Sequence, residues 1–234
     1  MNLAETPIVV PESAEDNVTD LLEERVAATP TGALFAVPEG EGWRDISAAA
    51  FKEQVVAVAK GLVAGGVEPG DRIGFMCKTK YEWSLVDFAL FYAGAVMVPV
   101  YETSSPSQVH WILEDSGARG MITETADHAA RFDEVEADLP RVSLKWNLDR
   151  GAIERLIEAG AEVPDEEIER RRSIANGDDI ATLIYTSGST GRPKGCVLTH
   201  ANFVGLARNS ASALSEVVNP ASSTLLFITL AHVF

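Results

Sequence analysis

Cysteine is scarce in this chain: Cys77 and Cys196 are the only two among 234 residues. Two are too few for a disulfide framework, which favours a reducing compartment. Each sits in an apolar, strand-like run, where a small buried hydrophobe is the expected role. Positive charge is also in deficit, with 19 Lys and Arg against 35 Asp and Glu and a formal net charge of -16. That balance excludes a general nucleic-acid binder and a polybasic membrane-surface protein, since both need an excess of Lys and Arg. An anionic ligand must therefore meet a local positive site. Long apolar runs are missing as well. The longest, LVDFALFYAGAVMVPVY, carries Asp87 and is punctuated by Gly94 and Pro99, short of the roughly 18 uninterrupted apolar residues of a membrane span. The first twenty residues lack the basic-then-apolar pattern of a secretion signal. We expect a cytoplasmic protein with no transmembrane segment, its peripheral association with a membrane left open.

What is present is ordinary globular composition, 46% apolar and 23% charged, in a length that suits one large α/β domain or two small ones. Phe51, Val55, Val58 and Leu62 fall at helical spacing, and Gly65, Gly66 and Pro69 supply the stop. Residues 72–77 read as a buried strand, 81–93 as a largely apolar helix and 95–100 as another strand. Ser105 before Pro106 starts a helix, Val109, Ile112 and Leu113 share a face, and Gly117 closes it before the strand GMIT at 120–123. This alternation predicts an α/β fold: a mainly parallel sheet with right-handed crossovers and helices on both faces. Residues 1–17 are expected to be extended and poorly ordered. Residues 126–176 read as a polar helical connection, and the mixed charges of PDEEIERRR at 164–172 suit a solvated helix face. Strands are expected again at 181–186, 195–199 and 223–229, with a helix over about 202–217.

The stretch LIYTSGSTGRPKGCVLTH, residues 183–200, then joins two strands. Its lysine invites comparison with the nucleotide-binding loop G-x-x-x-x-G-K-[ST], which feeds a helix. The match fails, because Lys194 follows Pro193, precedes Gly195 and is continued by a strand. The chemistry still suits phosphate. Gly188, Gly191 and Gly195 lack Cβ atoms, so the backbone can take positive φ and approach a bulky anion closely. Thr186, Ser187, Ser189 and Thr190 add hydroxyl donors that can also ligate a hard cation such as Mg²⁺. Lys194 brings the full positive charge that the composition demands. The bland alternative is a Ser/Gly-rich surface turn with a solvated lysine.

The string YTSGSTGRPKG, followed by a short strand and TH, resembles the signature loop of the adenylate-forming enzymes, which include acyl-CoA synthetases, luciferases and peptide-synthetase adenylation domains. Residues 81–123 resemble the upstream block of that family, VYETSS being most like its long-chain fatty acyl-CoA synthetase branch. FITLAHVF, residues 227–234, resembles the next block. The resemblance spans about residues 18–234 and is closest to bacterial, notably actinobacterial, long-chain fatty acid-CoA ligases.

It implies a two-step reaction. A fatty carboxylate attacks the α-phosphate of ATP to give acyl-adenylate and pyrophosphate, and coenzyme A then displaces AMP. It further implies that Thr186, Ser187, Gly188, Ser189, Thr190, Gly191 and Lys194 hold the β- and γ-phosphates, with Thr186 a Mg²⁺ ligand. Lys194 and His232 are the implied catalytic residues, His232 lying beside the acyl tunnel and the reacting carboxylate. His110, His128 and His200 have no such support and are expected to be structural or exposed. Cys196 stands where valine is frequent and Ser189 where threonine is also common. The family's acidic Mg²⁺ residue, adenine pocket, ribose-binding aspartate and late lysine all come after residue 234. We therefore expect a truncated N-terminal AMP-binding domain, inactive alone and able to self-associate through a surface exposed by truncation. Two alternatives stay open: an adenylating ligase for an aryl, bile or amino acid, and a non-catalytic phosphate-binding or interaction module.

Overall fold

The computed structural model of the protein describes residue 10 and residues 14–186 and 192–231. Most of the expected extended N-terminus, residues 1–9 and 11–13, lies outside the described residues. Its last residues are tied down. The Gly177 amide donates to the Ala14 carbonyl (2.9 Å), and buried Asn17 donates through Nδ2 to the carbonyls of Arg172 and Ala175 (3.1 and 3.0 Å). The same Asn17 forms a capping box with Asp20 at the start of α1 (Val18–Ala28), satisfying amides that the first helical turn would otherwise leave orphaned.

A hairpin follows, β1 (Ala33–Glu39) with β2 (Gly42–Ser47), then α2 (Ala48–Ala64). Ser47 caps α2 by accepting from the Ala50 amide, and Phe51, Val55, Val58 and Leu62 form its buried stripe. The alternation then runs β3 (Arg72–Met76), α3 (Tyr81–Tyr92), β4 (Val96–Val100), α4 (Pro106–Ser116), β5 (Gly120–Thr123), α5 (Ala126–Asp133) and β6 (Leu144–Asn147). It continues through α6 (Ala152–Ala159), α7 (Asp165–Arg172), β7 (Ile180–Thr186), β8 (Lys194–Thr199) and α8 (His200–Ala213). Ser105 and Gln108 form the expected capping box of α4, and Gly117 ends it at φ 66°, the left-handed conformation that glycine adopts without a Cβ clash.

The main sheet has the order β6-β5-β3-β4-β7-β8, parallel throughout except for β8, which runs antiparallel to β7. Side chains alternate between two cores. Ile73, Phe75, Met97 and Ile122 pack under α2 and α3, while Met76, Val98, Val100 and Met121 pack with Val109, Leu113 and Phe132 on the opposite face. Burial on both faces explains why these strands read as continuous apolar runs. One helix pair crosses at unusually short range: a Cβ on Gly61 of α2 would lie 2.1 Å from the Leu156 carbonyl oxygen of α6, and Gly160 meets Gly61 from the other side.

Three regions differ from expectation. Residues 126–176 are not helix and connection alone, because Leu144–Asn147 adds β6 to the sheet edge. Within PDEEIERRR, Arg171 turns inward and is buried, donating to the Val67 carbonyl (2.6 Å) and pairing with Glu167 (2.7 Å) and Glu68 (3.2 Å). Residues 223–229 form no strand. Leu225 and Phe227 stand 68% and 75% exposed, with no neighbouring strand among the described residues to complete a ladder, and α8 ends at Ala213 rather than near residue 217.

Candidate functional site

The chemistry expected of this chain converges on the β7–β8 hairpin. The register pairs Thr186 with Lys194 and Tyr185 with Gly195, so the last residue of one strand and the first of the other face each other at the mouth of the turn. Both Thr186 and Lys194 are exposed, a hydroxyl and an ammonium presented side by side. Ser187, Gly188, Ser189, Thr190 and Gly191 lie outside the described residues. The hairpin is keyed to the sheet at Thr182, whose Oγ1 donates to the Met97 carbonyl of β4 (2.8 Å).

Helix α4 holds both feet of the turn. Trp111 Nε1 donates to the Pro193 carbonyl (2.8 Å), and its ring lies 4.6 Å under the Arg192 guanidinium, a cation–π contact. One turn further along α4, Asp115 accepts from the buried Tyr185 hydroxyl (2.7 Å). Burial and this carboxylate both push the Tyr185 phenol far above its ordinary range, so it acts as a fixed donor and not as an acid. Gly195 has a different role from the expected one. Among the described residues it is absent from the positive-φ glycines, and its missing Cβ leaves room for the Tyr185 ring, whose Cζ would stand 3.1 Å away. Trp111, Asp115, Tyr185 and Arg192 were missed by sequence reasoning; the i,i+4 spacing of Trp111 and Asp115 on one helix face was the available signal.

His232 lies outside the described residues, but the segment leading to it is fixed. The Thr79 hydroxyl donates to the Ile228 carbonyl (2.8 Å) and accepts from the Leu230 amide (3.1 Å). Thr79 follows β3, so this segment meets the sheet beyond the carboxyl ends of its parallel strands, the edge where β7 also ends at Thr186. Open α/β sheets bind ligands at that edge. Lys80 lies there too, 3.5 Å from Glu124 and 3.6 Å from Glu82. Burial alone would raise the Glu124 carboxyl, but the Lys78 amide (2.9 Å) and the Lys80 ammonium outweigh it and hold the group below its usual range.

The other three histidines differ in setting. His200 is buried, accepts from the Val18 amide at Nδ1 (3.2 Å) and stands edge-on to Phe91, and burial lowers its basicity. His128 is buried in α5, and half-buried His110 lies 3.7 Å from Glu114 one turn away. Cys77 is buried as expected, but Cys196 is exposed, because among the described residues β8 is an edge strand with one neighbour. Among the described residues no cluster of three or more His, Cys, Asp or Glu could hold a metal ion, and no helix is long and apolar enough to cross a membrane. A cavity of about 860 Å³ between α1, α2, α6 and α7 is lined by residues such as Val26, Lys52, Val56 and Ile168 and by none from the hairpin.

This chain is similar to known proteins along nearly its whole length. The family described as AMP-binding enzyme matches residues 22–234. The long-chain-fatty-acid--CoA ligases FadD15 of Mycobacterium bovis and Mycobacterium tuberculosis are each 38% identical over 221 residues, covering 93% of this chain and 37% of theirs. The complex of VinN with L-aspartate superposes with a TM-score of 0.70 at 26% identity, covering 88% of this chain and 54% of that one. The Mycobacterium tuberculosis fatty acyl CoA synthetase gives 0.68 at 26%, covering 87% and 38%. The chain thus spans 37% of the length of these two curated relatives.

Proposed function

Because the chain belongs to the AMP-binding enzyme family, we propose that it forms the N-terminal part of an ATP-dependent long-chain fatty acid-CoA ligase and contributes the grip on the triphosphate. The observation that carries this reading is the pairing of Thr186 with Lys194 at the mouth of a hairpin anchored by α4. Lys194 neutralises the oxygens of the leaving pyrophosphate, and hydrogen bonds to such charged groups contribute about 1.5–3 kcal/mol each. The residues fit a magnesium–triphosphate. Mg²⁺ keeps most of its shell as water and phosphate oxygens and takes few protein ligands, and the exposed Thr186 hydroxyl would be one such ligand. When bound, the metal neutralises charge that would otherwise repel the attacking carboxylate.

To the same grip we assign Ser187, Gly188, Ser189, Thr190 and Gly191, and to the reacting carboxylate His232. Trp111 and Tyr185 keep the hairpin from swinging, so positioning is set before the substrate arrives. Coenzyme A accepts the acyl group in the second step. A long-chain fatty acid is favoured over an amino acid because the FadD15 ligases share 38% identity across nearly the whole chain, against 26% for VinN.

The test is acid-dependent exchange of labelled pyrophosphate into ATP by the whole protein that contains this chain, with palmitate, benzoate and aspartate in parallel. Exchange with palmitate well above the other two supports the reading. Exchange with aspartate or benzoate alone keeps the adenylation and overturns the substrate, and no exchange with any acid overturns the ligase.

A further inference from the structure

Three arginines surround a small cavity at the opposite end of the sheet from the hairpin. The order β6-β5-β3 and its parallel register set the amino ends of three strands side by side. Arg72 opens β3, Arg119 directly precedes β5, and Arg141 lies three residues before β6. The Arg119 amide donates to the Arg72 carbonyl (2.8 Å) and the Ser143 amide to the Arg119 carbonyl (3.0 Å), which locks the three rows together. Gly117, in the left-handed turn that ends α4, puts no side chain in the way: a Cβ there would stand 3.5 Å from Arg72 Nη1 and 3.8 Å from Arg141 Nη1. With Gly70 and Asp71 these residues line a cavity of about 280 Å³.

Structural duties account for part of this charge. Arg72 Nη1 donates to the Ser116 carbonyl (2.7 Å), where a cation suits the negative end of the α4 dipole. Arg119 Nη1 pairs with Asp71 Oδ2 (2.9 Å), which also accepts from the Glu68 amide (2.8 Å). Among the described residues no carboxylate lies within ion-pair distance of Arg141. Each guanidinium offers five N–H donors, so these bonds use a minority of them. The cavity gathers three guanidinium groups and one carboxylate, in a chain whose net charge is -16. Such a concentration of one sign against the field of the whole molecule needs an occupant or a reason.

We propose that this cavity binds a small phosphate-bearing anion free in solution, held by the forks of Arg72, Arg119 and Arg141. Planar guanidinium forks match phosphate oxygens bidentately. The volume falls just below the roughly 300–1,000 Å³ of drug-sized pockets, so it suits phosphate or a phosphomonoester head and not a whole nucleotide. None of its lining residues belongs to the hairpin, so the site is independent of the proposed triphosphate grip.

The experiment titrates the isotope-labelled whole protein that contains this chain with inorganic phosphate, against chloride at matched ionic strength, and follows the amide resonances of Gly117 and Arg119. The expected result is saturable shifts at both, weakened about tenfold or more by Arg141→Ala, less by Arg141→Lys, and unaltered by Lys194→Ala. Arg141 is exposed, so its substitution leaves the rest of the spectrum in place. Shifts that chloride reproduces, that never saturate, or that vanish with Lys194→Ala and persist with Arg141→Ala overturn the proposal.

Discussion

At the centre of the sheet β3 has neighbours on both edges and helices on both faces, and Arg72 is the one residue of its five not buried. At the sheet's margin β8 has one neighbour among the described residues, runs antiparallel to it, and leaves its first four residues exposed. The two cysteines mark the contrast, Cys77 buried just past β3 and Cys196 exposed in β8. The centre is held by apolar burial, at about 1.5–3 kcal/mol for each large side chain. The mouth of the hairpin, beyond the buried part of β7, is held by a few directional contacts from α4. Polar anchoring at an exposed edge keeps a hydroxyl and a lysine facing water without burying either.

The contrast breaks most completely at the α2–α6 crossing. Gly61→Ala places a methyl group against the Leu156 carbonyl, and because backbone must move, a loss of about 3 kcal/mol or more is expected in urea unfolding. A midpoint within error of the parent chain would contradict the close packing. Asp87 is the next test of the central region. Its Oδ1 is buried without a partner, and burial pushes the carboxyl up to about 8. The native state therefore keeps a proton that the unfolded chain releases near pH 4, so stability is fully present below that pH and is lost as pH rises toward 8. Asp87→Asn is expected to stabilise the chain by about 1–3 kcal/mol at pH 8 and to flatten the profile between pH 4 and 8. An unchanged profile would show that the carboxyl reaches water.

At the margin, Trp111→Phe removes the bond to the Pro193 carbonyl, a loss of about 1 kcal/mol. Faster hydrogen exchange is expected in β7 and β8, with none in β3 to β5; uniform acceleration would deny α4 its local anchoring role. The smallest effect is chemical. Cys196 in the folded chain is expected to react promptly with a thiol reagent while Cys77, buried and with its thiol pushed far up, waits for unfolding. Equal rates would erase the distinction.

The central elements were legible because burial on both faces, glycine stops and the Ser105 cap leave strong local signals. β6 was missed because LKWN is four residues long and lies in a charged stretch, although its alternation was visible. The inward turn of Arg171 left no mark, since its partners Val67 and Glu68 are over a hundred residues away. The strand expected at 223–229 rested on apolar composition, which does not supply a pairing edge. At the site, glycine, hydroxyl and lysine content pointed to the hairpin, and the resemblance gave it a ligand. The contacts of Trp111 and Tyr185 are tertiary and had no sequence pattern beyond a helical spacing.

The central claim is that the hairpin grips the phosphates of ATP through Lys194. The most direct measurement is ATP affinity and the rate of acyl-adenylate formation by the whole protein that contains this chain, carrying Lys194→Ala. Losing a charge-assisted contact of about 1.5–3 kcal/mol predicts a fall of roughly ten- to a hundredfold in adenylation. A variant that binds ATP and forms acyl-adenylate as fast as the parent would contradict the account.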